Sequence, residues 1–119
     1  MRRGFRPLID VVRTEEPAGL RIVVDLAGVD PAEIHVVVDE RTLLVAGHRG
    51  RLHPDCRLSY HQMEIEYGYF ERRVALPEYV DPDGGRATYE RGLLSIFLPV
   101  APAPPRQPRA SIVVRTSPR

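Results

Sequence analysis

Histidine, cysteine and serine side chains are the residues of this chain that could carry out chemistry, so their spacing comes first. His53 and Cys56 stand three positions apart, and His48 and His61 flank them. A metal site needs three or four converging ligands, and solvated polar side chains in a flexible loop explain this group more simply. The serines lack the Gly-x-Ser-x-Gly setting of a nucleophile: Ser59, Ser95, Ser111 and Ser117.

Phosphate chemistry has no better support in the sequence. The glycine-rich stretch Gly47-His48-Arg49-Gly50-Arg51 lacks the Gly-x-x-x-x-Gly-Lys-[Ser/Thr] form of a phosphate-binding loop. No pair of acidic residues marks a probable cleft. We therefore expect no catalytic residues, no cofactor and no metal, and the sequence predicts that the protein is not an enzyme.

Composition favours a single domain without a strongly charged partner. A chain of 119 residues supports one core without metal or disulfide staples. All 17 basic residues are arginine, but 16 acidic residues leave a net charge of +1, so neither nucleic acid nor membrane is an expected partner. The single cysteine, Cys56, fits a reducing compartment. With no signal peptide or long apolar run, we expect the protein in the cytoplasm.

Short apolar and β-branched runs, separated by Pro, Gly and Asp, predict an all-β chain. Seven such runs within about ninety residues indicate an immunoglobulin-like antiparallel β-sandwich. Asp30-Pro31-Ala32-Glu33 predicts a single helical turn, the cluster 81–85 predicts a turn, and Gly92 predicts a hairpin. The predicted strands are Leu8 to Arg13, Leu20 to Leu26, Ile34 to Val38, Leu43 to Gly47, Phe70 to Leu76, Arg86 to Tyr89 and Leu93 to Leu98.

An isolated apolar tripeptide, Ile112-Val113-Val114, stands in a tail otherwise rich in Pro and Arg. Because side chains alternate in an extended chain, Ile112 and Val114 project together as a two-pronged plug, and Val113 faces away. A Pro-rich spacer from Pro99 reaches roughly 40 Å, which is enough to find a socket on a neighbouring molecule. The alternatives are a frayed tail, or a last strand that folds back onto its own domain.

The polar stretch from His48 to Gly68 is long for a loop in a compact domain, and such loops are usually functional. It contains only a weak strand signal, at Leu58 to Met63. Tyr60, Met63 and Ile65 could help to add a strand to the sheet of another chain. A mobile surface excursion explains the same composition equally well.

The order of motifs resembles the small heat shock proteins, which are built on the α-crystallin domain. Val24–Val29 resembles the family's D-L-P-G-V motif, with Ala27 in the position of the proline. Gly68–Pro77 is similar to G-x-F-x-R-x-x-x-L-P. Ala87–Leu94 is similar to A-x-x-x-n-G-v-L, with Arg91 replacing the common asparagine, and the tail tripeptide resembles the I-x-I/V anchor.

The resemblance implies an α-crystallin-type sandwich at residues 8–99, preceded by a short N-terminal arm (1–7) and followed by a flexible tail with an anchor motif (100–119). It implies that Ile112 and Val114 dock in a groove between two strands. It also implies a dimer in which the partner receives the strand Leu58 to Met63. The implied groove residues are Ile34, Val36, Val38, Ala87 and Tyr89. The implied dimer-interface residues are Leu58, Tyr60, Met63, Glu64 and Arg72.

The function implied by the resemblance is an ATP-independent holdase that binds unfolding proteins and assembles from homodimers through its tails. Phe5 is the lone aromatic residue of the arm, so we expect modest client capture. One alternative is a structural subunit that co-assembles with a longer-armed paralogue. Another is a CS-domain-like co-chaperone, against which the long loop and the tail anchor argue.

Overall fold

Two β-sheets face each other in the structure, which is a computed structural model. The structure describes residues 4–39, 41–52, 57–106 and 109–116. Two short 3₁₀ turns, Pro31–Glu33 and Pro82–Gly84, complete the regular structure of these ranges. The strands are β1 (Ile9–Glu15), β2 (Ala18–Asp25), β3 (His35–Asp39), β4 (Thr42–Arg49), β5 (Gly68–Ala75), β6 (Arg86–Glu90), β7 (Leu93–Pro99), β8 (Arg109–Ile112) and β9 (Val114–Thr116).

One sheet has the order β1-β2-β7-β6-β9, and the other has the order β5-β4-β3-β8. All neighbours within them are antiparallel except β6 and β9, which run parallel. The alternation predicted from the sequence sets the register. In β2, for example, Leu20, Ile22 and Val24 are buried, while Arg21 and Asp25 face solvent.

The core lies between the two sheets and is made almost entirely of branched aliphatic side chains. β2 and β7 supply its centre on one side, where Ile22 pairs with Ile96. β3 and β4 supply the other side, where Val36 pairs with Val45. Among the described residues no polar or charged residue is buried, so the sandwich rests on apolar burial and backbone pairing.

The predicted turns are confirmed. Asp30 accepts a hydrogen bond from the Ala32 backbone N–H at 3.0 Å and caps the first 3₁₀ turn. Asp81 caps the second turn in the same way. Arg91 and Gly92 both have positive φ, 56° and 81°, which is the conformation that a two-residue hairpin between β6 and β7 requires.

All seven predicted strands are present, with ends that differ by a few residues, and the predicted β-sandwich is confirmed. The structure adds two strands that the sequence did not predict as strands of the domain, β8 and β9, both from the tail. No helix within the described ranges is long and apolar enough to span a membrane.

Candidate functional site: the tail groove and the exposed loop

The C-terminal tail of this chain joins both of its own sheets. β8 runs antiparallel to β3, where Ile112 is the register partner of Val36. β9 runs parallel to β6, where Val114 is the partner of Ala87. The chain therefore passes from one sheet to the other at Val113, and the tripeptide bridges the open side of the sandwich. In the structure the tail is therefore folded back onto its own domain, which was one of the alternatives considered for it.

The three residues of the anchor alternate as an extended chain requires. Ile112 is 8% exposed and belongs to the core cluster, and Val114 packs against that cluster from a half-buried position. Val113 is 69% exposed. The two prongs predicted from the spacing thus point into the sandwich, and the residue between them points to solvent.

The predicted groove residues line the site that the tail occupies. Val36 and Val38 of β3 pair with Ile112 and Ala110, and both valines are buried. Ile34 is buried just before β3 begins. On the opposite sheet Ala87 pairs with Val114, and Tyr89 with Thr116. The same side chains belong to the core or pack against it, so the floor of the groove is the core itself.

Tyr89 closes one end of the groove with a polar group. Its hydroxyl donates a hydrogen bond to the Leu26 carbonyl at 2.8 Å. Burial is the main cause that raises the pKa of this phenol above its ordinary value. The hydroxyl therefore remains protonated at neutral pH and fixes the ring beside the tail.

Two contacts of the tail were missed by sequence reasoning. An ideal Cβ on Gly85 would lie 2.8 Å from Cδ1 of Ile112, so the absence of a side chain at position 85 leaves room for the anchor. Arg109 forms an ion pair with Asp39 at 3.0 Å where β8 begins. The sequence placed Gly85 in a turn cluster, and it offered no signal for the pairing of two residues so far apart.

The segment that was predicted to be lent as a strand, Leu58 to Met63, lies outside the strands that the described ranges form. Leu58, Tyr60, Met63 and Ile65 are all exposed, Leu58 at 47% and Ile65 at 66%. Large apolar side chains that are left in solvent within one segment point to an interaction surface. His53 and Cys56, considered above as metal ligands, lie outside the described residues.

Arg72 and Glu64, two of the implied dimer-interface residues and of opposite charge, are not brought together within one chain. Arg72 is a half-buried residue of β5, and its guanidinium donates to the Pro7 carbonyl. Burial, and then the nearby positive charge of Arg6, lowers the pKa of Arg72 from its usual value. Glu64 instead accepts a hydrogen bond from the Gln62 amide at 2.5 Å. Arg72 therefore lacks a carboxylate partner among the described residues.

One edge of the five-stranded sheet is formed by β1, whose outer side has no strand partner among the described residues. Leu8, Val11 and Val12 are exposed along it. The edge of the other sheet, β5, is partly covered, because the Phe5 N–H donates to the Tyr69 carbonyl at 3.0 Å. An exposed edge strand offers unpaired backbone groups to another chain.

These features define a small β-sandwich that holds an apolar peptide strand across the open side of its two sheets. The Hsp20/alpha crystallin family model matches residues 12–115, and the chain belongs to this family, the small heat shock proteins. The family consists of chaperones and not of enzymes. The resemblance read from the sequence is thereby confirmed.

Relatives and solved structures agree with the family model. The 19.0 kDa class II heat shock protein of Oryza sativa subsp. japonica is 36% identical over 108 residues, which cover 85% of this chain and 62% of that protein. Small heat shock protein C2 of Rickettsia felis is 29% identical over 97 residues, which cover 82% of this chain and 62% of that protein. The chain thus spans less than two thirds of these curated relatives. A small heat-shock protein structure from Xylella fastidiosa superimposes with a TM-score of 0.72 at 32% identity, covering 98% of this chain and 94% of that one.

Proposed function

We propose that the protein is an ATP-independent holdase-type chaperone that assembles from dimers and limits the aggregation of unfolding proteins. Membership of the Hsp20/alpha crystallin family supports a chaperone role. The observation that carries the proposal is the groove between β3 and β6, which binds an extended apolar segment. A site that accepts Ile112 and Val114 by burial and backbone pairing can accept similar segments of other chains.

The dimer forms when segment 58–63 of one chain adds to the β1 edge of its partner. Exposed Leu58, Tyr60 and Met63 supply side chains that this pairing buries. The unpaired edge of β1, with Val11 and Val12 exposed, supplies the acceptor. Backbone hydrogen bonds give such strand addition its affinity, and side-chain pockets give it specificity.

Arg72 contributes to the same interface as the partner of Glu64 from the other chain. Its half-buried guanidinium lies close to Arg6, so a carboxylate that approached it would relieve an unfavourable charge arrangement. An exposed ion pair is worth only about 0 to 1 kcal/mol. The pair therefore adjusts the dimer, while the exchanged strand holds it.

Assemblies larger than the dimer form when tails move from their own groove to that of a neighbour. The start of the tail is tied down, because Val100 bridges Val80 and the Ala101 N–H donates to the Tyr79 carbonyl at 2.8 Å. From Ala101 to Arg109 a chain can span at most about 28 Å. A tail released from its own groove while its base stays in place can therefore bring Arg109, where β8 begins, only to grooves within about 28 Å of Ala101.

Weak and reversible docking suits a holdase. Burial of Ile112 and Val114 contributes about 3 to 6 kcal/mol gross, from which the ordering of the tail is subtracted. Several tails acting together stabilise an assembly, while a single groove can still be vacated for a client. We expect this activity in the cytoplasm.

A co-assembling subunit with little client capture is the second candidate, and one observation favours it. Phe5 packs edge-on against the buried Phe70 instead of standing free. A ring held in this way presents little apolar surface to a client. In this function a longer-armed paralogue would bind the unfolding proteins.

Light scattering from a heat-labile enzyme, with and without this protein and ATP, tests the proposal. We expect a modest, concentration-dependent delay of aggregation that ATP does not change. A delay that required ATP would contradict the holdase. No delay, together with co-purification of a longer-armed paralogue, would establish the co-assembling subunit instead.

A further inference from the structure

Aromatic and arginine side chains alternate in a row that begins at the core. Phe70 is buried, and Phe5 meets it edge-on with ring centroids 5.7 Å apart and planes at 82°. The guanidinium carbon of Arg49 lies 3.6 Å from the centroid of the Phe5 ring. This is a close stacking contact between a cation and an aromatic face.

The row continues outward to the loop. Tyr67 lies between two arginines, with its ring centroid 5.7 Å from the guanidinium carbon of Arg49 and 4.8 Å from that of Arg51. Arg51 in turn lies 5.4 Å from the ring of Tyr60. We call this set the arginine–aromatic ladder. Its rungs are Phe5, Arg49, Tyr67, Arg51 and Tyr60.

Arg49 fixes the ladder to the backbone on two sides. Its Nε and Nη2 both donate to the Glu66 carbonyl, at 2.9 and 2.5 Å, and its Nη1 donates to the Ala27 carbonyl at 3.0 Å. A guanidinium is planar and always charged, so it can stack and donate at the same time. Arg49 therefore holds the stem of the loop, the turn after β2 and the N-terminal segment in one arrangement.

We propose that the arginine–aromatic ladder couples the N-terminal segment to the loop that carries the lent strand. The two ends of the ladder belong to two parts of the chain that can engage other molecules: Phe5 to the N-terminal segment, and Tyr60 to segment 58–63. When segment 58–63 pairs with a partner, Tyr60 leaves Arg51, the ladder loses a rung and Phe5 is held less firmly. This coupling rests on the proposed function, because it takes segment 58–63 to be the lent strand.

The coupling acts in both directions. If release of Tyr60 favours release of Phe5, then release of Phe5 favours release of Tyr60 by the same free energy. Arm exposure and subunit exchange are therefore linked in this chain. A dimer whose strands are exchanged therefore exposes Phe5 more often than a chain whose segment 58–63 stays on its own domain.

A matched arginine elsewhere in the chain provides the control. Arg41 donates to the Leu76 and Pro77 carbonyls, at 3.1 and 2.9 Å, and stacks over the Tyr79 ring at 5.4 Å. It makes the same kinds of contact as Arg49, but it touches neither the arm nor the long loop. Arg41→Gln thus removes a stacked arginine and leaves every residue of the arginine–aromatic ladder in place.

Hydrogen exchange of the Phe5 amide in the full chain tests the proposal. It is measured by mass spectrometry at a dilution at which the chain sediments as a monomer, because in the monomer Tyr60 keeps its place beside Arg51. The Phe5 N–H donates to the Tyr69 carbonyl, so its exchange reports how firmly the N-terminal segment is held. Arg49→Gln should accelerate it by about two- to fivefold, the factor that a cation–π contact at an exposed site is worth. Tyr60→Leu, a substitution four rungs away on the surface, should accelerate it by about twofold, and Arg41→Gln should leave it unchanged.

An unchanged Phe5 amide in Tyr60→Leu would overturn the coupling, even if Arg49→Gln failed to fold. Equal acceleration by Arg41→Gln would overturn it as well, because the effect would then be general loosening. The native mass of a further variant, which lacks residues 58–63, keeps the two proposals apart. If a chain without residues 58–63 keeps the dimer mass, strand lending is wrong, whereas the exchange of the Phe5 amide still decides the coupling.

Discussion

The Cδ1 atom of Ile112 lies against Gly85, where an added Cβ would stand only 2.8 Å away. Gly85 has a φ of −73°, which any residue adopts without strain. What position 85 requires is space, because the anchor fills the volume that a side chain would take. The second 3₁₀ turn is in this way part of the socket for the tail.

Gly85→Ala should therefore loosen the tail without unfolding the domain. The methyl group would lie 2.8 Å from Cδ1 of Ile112, 3.0 Å from Cδ2 of Leu98 and 3.1 Å from the Pro82 carbonyl oxygen, at a cost of about 1 kcal/mol. Hydrogen exchange of the β8 amides should accelerate by roughly fivefold. Gly50→Ala is the control, since a Cβ there meets only His48 atoms at 3.8 Å or more. Unchanged protection of β8 in Gly85→Ala would show that the anchor is not seated against this glycine.

Deletion of residues 58–63 should convert dimers to monomers, because it removes the strand that we propose is exchanged. Arg72→Ala should only weaken the dimer, since an exposed ion pair is worth about 0 to 1 kcal/mol. Arg73→Ala, which removes an exposed arginine paired with Glu71 on the opposite face of β5, is the matched control. Sedimentation velocity over a range of concentrations separates these cases. A loop deletion that still sediments as a dimer would refute strand exchange.

The carboxyl of Glu78 should titrate below the usual range of glutamate. A hydrogen bond from Arg13, at 2.5 Å, is the main cause that lowers its pKa. A carboxyl with a lowered pKa in the folded state stabilises the fold above its ordinary pKa, and this contribution is lost as the pH falls through the lowered value. An NMR titration of the wild type and of Arg13→Gln measures the pKa of Glu78 in each protein. The pKa should rise towards its ordinary value in Arg13→Gln, and an identical titration in both proteins would contradict the ion pair between β1 and the segment after β5.

Most of the fold could be predicted because apolar alternation and turn residues are local signals. The period-two pattern of Leu20, Ile22 and Val24 identified β2, and Asp30 with Pro31 identified the first 3₁₀ turn. The spacing of Ile112 and Val114 likewise gave the inward and outward directions of the anchor. Each of these depends only on residues within a few positions of one another.

Other parts of the site depend on contacts between distant segments, and no local pattern contains them. Gly85 resembles any turn glycine until Ile112 is placed beside it. Arg49 was considered only as part of a glycine-rich stretch, although it stacks on Phe5 and bonds to Glu66. The sequence likewise does not determine which groove the tail occupies, because an extended apolar segment fits its own groove and a neighbour's groove equally well.

The native mass of three proteins tests most directly whether the anchor in the groove controls assembly. Ile112→Ala/Val114→Ala removes both prongs, which contribute about 3 to 6 kcal/mol gross, whereas Val113→Ala removes a side chain that is 69% exposed. In our proposal the tail leaves the sandwich without unfolding it, so the cost of the double substitution to domain stability is limited to the free energy of docking. We predict assemblies above the dimer for the wild type and Val113→Ala, and dimers for the double variant. A double variant that kept the wild-type mass, or a Val113→Ala variant that lost it, would contradict the account.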